Sequence, residues 1–313
     1  MEYRKLIKFG SNSHVISLPK TWIEKYELKK GDHIGLEIVN DNMILHPKTI
    51  KQSEEKVKTI TVKKNATPRT LKRELLSAYE KNATTIYFSG PGVSYHLEPI
   101  TTLIDSLTGL EIVEHTTNRI IAKTYIKTED VTIETFLKRI DNSIKSMILE
   151  LQEGISQELP VAIPELEKEI SQREKNVDKI VRLIQRVMRE RIQKHMTSKE
   201  QDQLMILKYW QLSIFLETIS DNIEAMVNYF SIIRTETERS EIKSILEDMK
   251  TCFDEVMKAF YSNNTQQAYV VSDDLRTVKK KVDDKHKKKG YGYLLRQFEE
   301  NINIISEINK LSF

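Results

Sequence analysis

The apolar residues of this chain change period once, near residue 130, and that change limits its fold more than any other feature. From Asp130 onward they recur every three or four positions, through Ile133, Phe136, Ile140, Ile144, Met147 and Leu151, and again through Leu166, Ile170, Val177, Val181, Ile184 and Met188. Such spacing marks one face of an α-helix. Pro160 and Pro164 are expected to break the first helix from the second, and Thr197 with Glu200 has the form of a capping box opening a third helix to about Ile233. Helices over about 242–260, 265–285 and 291–311 follow, so the region 130–313 reads as two three-helix repeats, 130–233 and 240–313.

Before residue 130 the periods are those of strands. Residues 56–127 read strand, helix, strand, helix, strand, strand: Val57–Val62 is rich in Val, Ile and Thr, Thr67-Pro68 is an N-cap and first-turn signal, and Thr85–Phe88 is again strand-like. "SGPG", Ser89–Gly92, precedes the second helix and is expected to be a plain turn. Two further strands run from Leu110 to Ile126 around Thr117-Asn118. Residues 1–48 are shorter-stepped still. Ile7 and Phe9 alternate with Leu6, Lys8 and Gly10; Pro19 opens a short helix with Trp22, Ile23 and Tyr26 on one face; Ile34, Leu36 and Ile38 lead into a hairpin at Asn40-Asp41-Asn42. The expected class is a multidomain α+β protein of three parts, 1–48, 56–127 and 130–313. So small a first part buries little alone, which predicts that it pairs with a second copy.

A net charge of +3 imposes no global field, so any nucleic-acid surface must be local. The single cysteine, Cys252, excludes an intrachain disulfide or a Cys-rich zinc site, and it reads as a small core residue of a reducing compartment. The first residues hold no apolar leader segment, and no run of about 18 apolar residues occurs that could span a bilayer. A soluble, cytoplasmic protein without stable membrane insertion is expected.

In the helical region Glu174 interrupts the apolar stripe between Ile170 and Val177, and Asp178 lies one turn on; Glu217 and Asp221 follow the same face as Ile214 and Ala225. Two antiparallel helices that each offer acids four residues apart could surround a cation with four carboxylates. A chain this rich in acids also produces such pairs by chance, and Arg173 and Arg182 are alternative partners. No Glu-x-x-His motif and no nucleophile–base arrangement is present, so no enzymatic activity is expected.

Two stretches resemble known families. "GSNSHVISLPKTWIEKYELKKGDHI" resembles the swapped-hairpin DNA-binding domain of AbrB/SpoVT type, with Gly10, Ser11, Val15 to Lys20, Trp22, Leu28, Gly31 and Asp32 fitting its pattern over residues 1–47. The region 130–313 resembles PhoU, the phosphate-uptake regulator whose two three-helix repeats carry Glu/Asp-x-x-x-Asp motifs, and the combination resembles archaeal regulators of phosphate uptake. The first resemblance implies a small β-barrel of interleaved hairpins, a homodimer through this domain, and double-stranded DNA as partner. Arg4, Lys5, Lys8 and Lys20 would then meet phosphates, and Ser11, Asn12, Ser13 and His14 would offer hydrogen bonds to phosphate or base edges. The second implies a divalent or trivalent metal ion at Glu174, Asp178, Glu217 and Asp221, and a phosphate transporter or signalling protein as partner. Thr218 stands where that family commonly has Arg, and Gln297 and Asn301 stand where the second repeat would need acids, although Asp273 and Asp274 are near the expected place. Together these imply a dimeric transcription regulator of phosphate homeostasis, the alternative being an adaptor that acts by protein contact alone.

Overall fold

The computed structural model describes residues 3–39, 42–47, 55–156, 159–194, 200–286 and 292–313. They fall into two compact units, 1–55 and 56–313. The capping box at Thr197 and the turn residues Asn40 and Asp41 lie outside the described residues.

Among its described residues the first unit holds two antiparallel hairpins and one short helix. Strands β1 (Ile7–Phe9) and β2 (Ser13–Val15) pair as Ile7 with Val15, Lys8 with His14 and Phe9 with Ser13. Gly10 enters the connecting turn at φ +74°, a left-handed conformation that glycine adopts without a Cβ penalty. Helix α1 (Lys20–Lys25) starts after Pro19 and stops where Glu27 takes φ +53°, the Leu28 N–H donating back to the Ile23 carbonyl at 3.0 Å. Gly31 turns the chain with φ +100° while the Asp32 carboxylate accepts from the Lys29 N–H at 2.7 Å, and β3 (Gly35–Val39) then pairs with β4 (Asn42–His46). The expected barrel is not closed within one chain, because the strands form two separate two-stranded sheets. Two-stranded sheets have no second layer, and among the side chains described in this unit none is buried.

In the second unit β5 (Val57–Thr61), β6 (Thr85–Ser89), β8 (Arg119–Thr124) and β7 (Leu110–Thr116) form one mixed sheet in that order, β5 parallel to β6 and the rest antiparallel. Helix α2 (Pro68–Glu80), capped by Thr67, makes the β5–β6 crossover, and α3 (Leu97–Asp105) precedes β7. Register brings Ile60, Phe88 and Ile120 into one row, which Leu71, Leu75 and Tyr79 of α2 and Ile100 and Ile104 of α3 cover. The "SGPG" stretch is a turn held by backbone pairing. The Gly92 N–H donates to the Val62 carbonyl at 2.9 Å, and a Cβ at Gly92 would come within 2.2 Å of the Lys63 carbonyl oxygen.

Among the described residues six long helices follow: α4 (Ile133–Ser156), α5 (Leu159–Lys194), α6 (Glu200–Val227), α7 (Glu236–Ser262), α8 (Thr265–His286) and α9 (Gly292–Lys310). Each successive three pack together, and the triplets meet where α4 lies on α7 and α6 on α9, enclosing one continuous core. Three sequence expectations are corrected. Pro164 does not break the helix: it sits in the second turn of α5, where its missing N–H costs only the bond to the Pro160 carbonyl. Helix α6 stops at Val227 and a 3₁₀ turn, Phe230–Ile232, follows. Helix α7 begins earlier than Ile242, at a full capping box between Thr235 and Glu238.

The sheet is fastened to α5. Arg186, 3% exposed, stacks on the Tyr79 ring with 4.4 Å to its centroid and donates to the Ala83 carbonyl at 3.2 Å. Tyr79 in turn donates to the Thr108 carbonyl at 2.8 Å, and Thr108 Oγ1 reaches the Lys179 carbonyl at 3.3 Å. Burial pushes the Tyr79 hydroxyl up to about 12, with Arg186 pulling the other way, so both groups stay in their ordinary protonation states near neutrality.

Candidate functional site

Two clusters gather the residues singled out from the sequence, one in each unit. In the first, strand alternation decides which side chains share a face. Lys8 and His14 are direct partners across the β1–β2 hairpin, while Ile7, Phe9, Ser13 and Val15 occupy the other side. The turn carries Ser11 and Asn12, and Arg4, Lys5 and Lys20 flank it in sequence; all eight of the expected contact residues are exposed. Lys20 makes a loose pair with Glu24 at 3.6 Å, mostly in solvent. The hairpin thus has a cationic, hydrogen-bonding side and an apolar side, with Phe9 68% exposed. Trp22 is half-buried with its ring edge toward Tyr26 at 5.5 Å, packing within α1 rather than pointing outward to stack on a base.

In the second unit α5 and α6 bring Glu174, Asp178 and Asp221 together so that one oxygen from each lies within 4.8 Å of the others. Glu217 is not one of these three, but it feels the charges of Asp178 and Asp221 beside it. These acids lie beside the core rather than within it: the buried line of α6 runs through Leu212, Leu216, Ile219, Ile223 and Met226, and Ile214 is exposed. Partial burial, then repulsion from Asp178, Glu224 and Asp221, pushes Glu174 up to about 7. Burial and Asp178 push Glu217 up to about 7 as well, against the pull of Arg182. Asp221, the most exposed of the four, is raised by loss of water on its inner side and by Asp178 and Glu224.

Of the two alternative partners, Arg182 is engaged with Asp178 at 3.1 Å, whereas Arg173 turns away to Glu150 of α4. Glu224 belongs to the cluster and was not foreseen, although its place three residues after Asp221 was available in the sequence. The oxygen separation suits a cation: ligands about 2.4 Å from a hard metal ion lie at most about 4.8 Å apart. The residues therefore fit a divalent ion of oxygen preference. Among the described residues the second triplet offers no counterpart. Asp273 and Asp274 face solvent, Asp273 pairing with Arg276, and Asn301 is buried and accepts from Asn222 at 3.0 Å.

The Lys-rich stretch near 279–290 is partly tied down, since Lys281 pairs with Asp248 and Lys285 with Glu241 on α7; residues 287–290 lie outside the described residues. Cys252 is buried in the helical core, which pushes its thiol up to about 11 and leaves it unreactive near neutrality.

Residues 7–53 match the family of the bacterial antitoxin MazE, described as antidote-toxin recognition. No curated protein and no solved structure matches the chain. The amino-terminal part is therefore MazE/AbrB-like, a kind of domain that commonly binds DNA and dimerises. Among the described residues no helix is long and apolar enough to cross a membrane.

Proposed function

We propose that the chain is a dimeric, cytoplasmic DNA-binding transcription regulator, with no enzymatic activity of its own. The observation that carries this reading is the two-sided β1–β2 hairpin of a MazE/AbrB-like unit. One side sets Lys8 opposite His14, and the other exposes Ile7, Phe9 and Val15. An apolar side without a core is covered by a second copy of the same unit, and dimerisation doubles the cations on the opposite side. Arg4, Lys5, Lys8 and Lys20 then engage phosphates, and Ser11, Asn12 and His14 approach phosphate or base edges at the tip, whereas Ser13, on the Phe9 side of the hairpin, does not share that face.

In this reading the helical triplets are the sensor. The cluster Glu174, Asp178, Glu217 and Asp221 holds a divalent or trivalent cation, which offsets the burial and mutual repulsion that together push Glu174 and Glu217 up to about 7. The PhoU resemblance of the six-helix region supports phosphate uptake or phosphate homeostasis as the regulated process, with a phosphate transporter or signalling protein as a further partner. The adaptor reading, in which protein contact replaces DNA binding, is favoured by Leu204 and Leu207, about 60% exposed on one side of α6.

Fluorescence anisotropy of the full chain on duplex DNA tests the central claim. Binding that weakens steeply with salt, and weakens further in Lys8→Ala and His14→Ala, supports it; absence of binding at low salt overturns it in favour of the adaptor. Chromosome footprinting under phosphate plenty and starvation tests the phosphate assignment: occupancy that does not change with phosphate removes it.

A further inference from the structure

The outward face of α2 bears a cationic strip that the reading above does not use. Arg69, Lys72 and Arg73 lie within its first turns, Lys81 follows at its C-cap, and with Arg189 of α5 they line a cleft of about 440 Å³. The opposite face of α2, through Leu71, Leu75, Ala78 and Tyr79, is locked in the sheet core, so the cations are fixed toward solvent. Glu80 is the acid in the cleft, and Arg189 occupies it at 3.1 Å while resting over the Trp210 ring. Among the described residues no carboxylate pairs with Arg69, Lys72, Arg73 or Lys81.

Several exposed cations on the long helices are paired locally. Lys138, Lys258, Arg276, Arg296 and Lys310 each have an acid three or four residues away on their own helix. On α2, Arg69, Lys72, Arg73 and Lys81 form no such pair among the described residues although Glu74 and Glu80 lie on the same helix, so the cationic excess there is open to an external anion.

We propose that this face of α2 is a second nucleic-acid contact that grips the phosphate backbone of the duplex. The inference rests on the DNA-binding reading and adds a surface within residues 56–313, apart from the hairpin unit. Its shape selects an extended polyanion over a small one. From Arg69 to Lys81 the helix axis advances roughly 18 Å, about five base steps at 3.4 Å per step along one strand. A single phosphate would engage only neighbouring members of the strip. The contacts are charge and shape alone, so this surface adds affinity in every sequence context.

The test is the salt dependence of full-chain binding to a duplex of arbitrary sequence, for wild type, for Arg69→Ala/Lys72→Ala/Arg73→Ala, and for a control of equal charge loss, Arg276→Ala/Arg296→Ala/Lys310→Ala. The slope of log Kd against log salt is expected to fall in magnitude by about 2 to 3 in the α2 variant, with affinity near 0.1 M salt reduced on the order of tenfold to a hundredfold. The control is expected to stay close to wild type. All substituted side chains are exposed, and an unchanged melting temperature verifies folding. An α2 variant that matches the control overturns the inference while leaving the DNA reading intact. So does a result in which nucleotides or inorganic phosphate raise the wild-type melting temperature through these residues while the duplex slope is unaltered. A wild-type chain that ignores DNA overturns both.

Discussion

The two units of this chain spend their apolar residues in opposite ways. In the 56–313 unit Phe253 and Phe298 are wholly buried in a core shared by six helices, whereas in the first unit Phe9 is 68% exposed and Ile38 is 75% exposed. The helical region solves its burial problem internally, because stripes at 3.6 spacing on six helices cover one another. The small unit, with two-stranded sheets and one short helix among its described residues, has apolar residues on surfaces that none of those residues buries. Similar side chains therefore mean stability in one region and association in the other.

The strongest way to break that contrast is to truncate the same residue type in both. Phe298→Ala is expected to destabilise the body by about 3–5 kcal/mol in denaturant melts, while Phe9→Ala leaves that transition where it was and shifts the dimer toward monomer in sedimentation. A Phe9 variant that melts early, with no change in association, contradicts the assignment. Next in size is the joint between sheet and helices. Arg186→Ala removes a buried guanidinium from its ring and its carbonyl partner, with an expected cost of about 2–3 kcal/mol, and hydrogen exchange should rise first near Tyr79 and Ala83.

The acidic cluster gives a smaller and pH-dependent effect. Glu174 and Glu217 titrate near 7 in the fold against 4.5 in an open chain, so the folded state holds protons that the unfolded state has released. Stability contributed by this pair is thus complete below about 4.5 and declines as pH rises to about 7. With metal chelated, Glu217→Gln should gain on the order of 1 kcal/mol over wild type at pH 8, after allowance for solvent screening, and show no difference at pH 4. Added divalent cation should reverse the order, and a gain that ignores both pH and cation argues against the cluster as a unit. The smallest change is Lys20→Ala, which removes an exposed pair with Glu24 and should alter chemical stability by less than about 0.5 kcal/mol while weakening DNA binding measurably.

Much of the architecture was legible because periodicity reports which face of an element is apolar. The stripes from Ile133 to Leu151 and from Leu166 to Met188 are buried as expected, apart from Phe136 at the margin. Periodicity does not report what covers a face, so the meeting of α4 with α7 and of α6 with α9 could not be read from it. Pro164 misled because a proline early in a helix loses little, and the start of α7 was missed because its first turns, Glu236 to Glu241, contain no apolar residue. At the acidic cluster the four spaced carboxyls were visible, but their position beside the core was not, since Ile214 looked like a core neighbour and is exposed. Arg186 left no trace in the sequence at all: a buried arginine on a helix as rich in charged residues as α5 resembles any solvated one until its ring partner is known.

The single interior common to both triplets has a temporal consequence. As the chain emerges from the ribosome, α4, α5 and α6 can gather, yet the sides of α4 and α6 destined for α7 and α9 stay open until Leu294, Phe298 and Ile305 have been synthesised. The body therefore closes only when α9 arrives, and until then the nascent helices remain dependent on protection from aggregation.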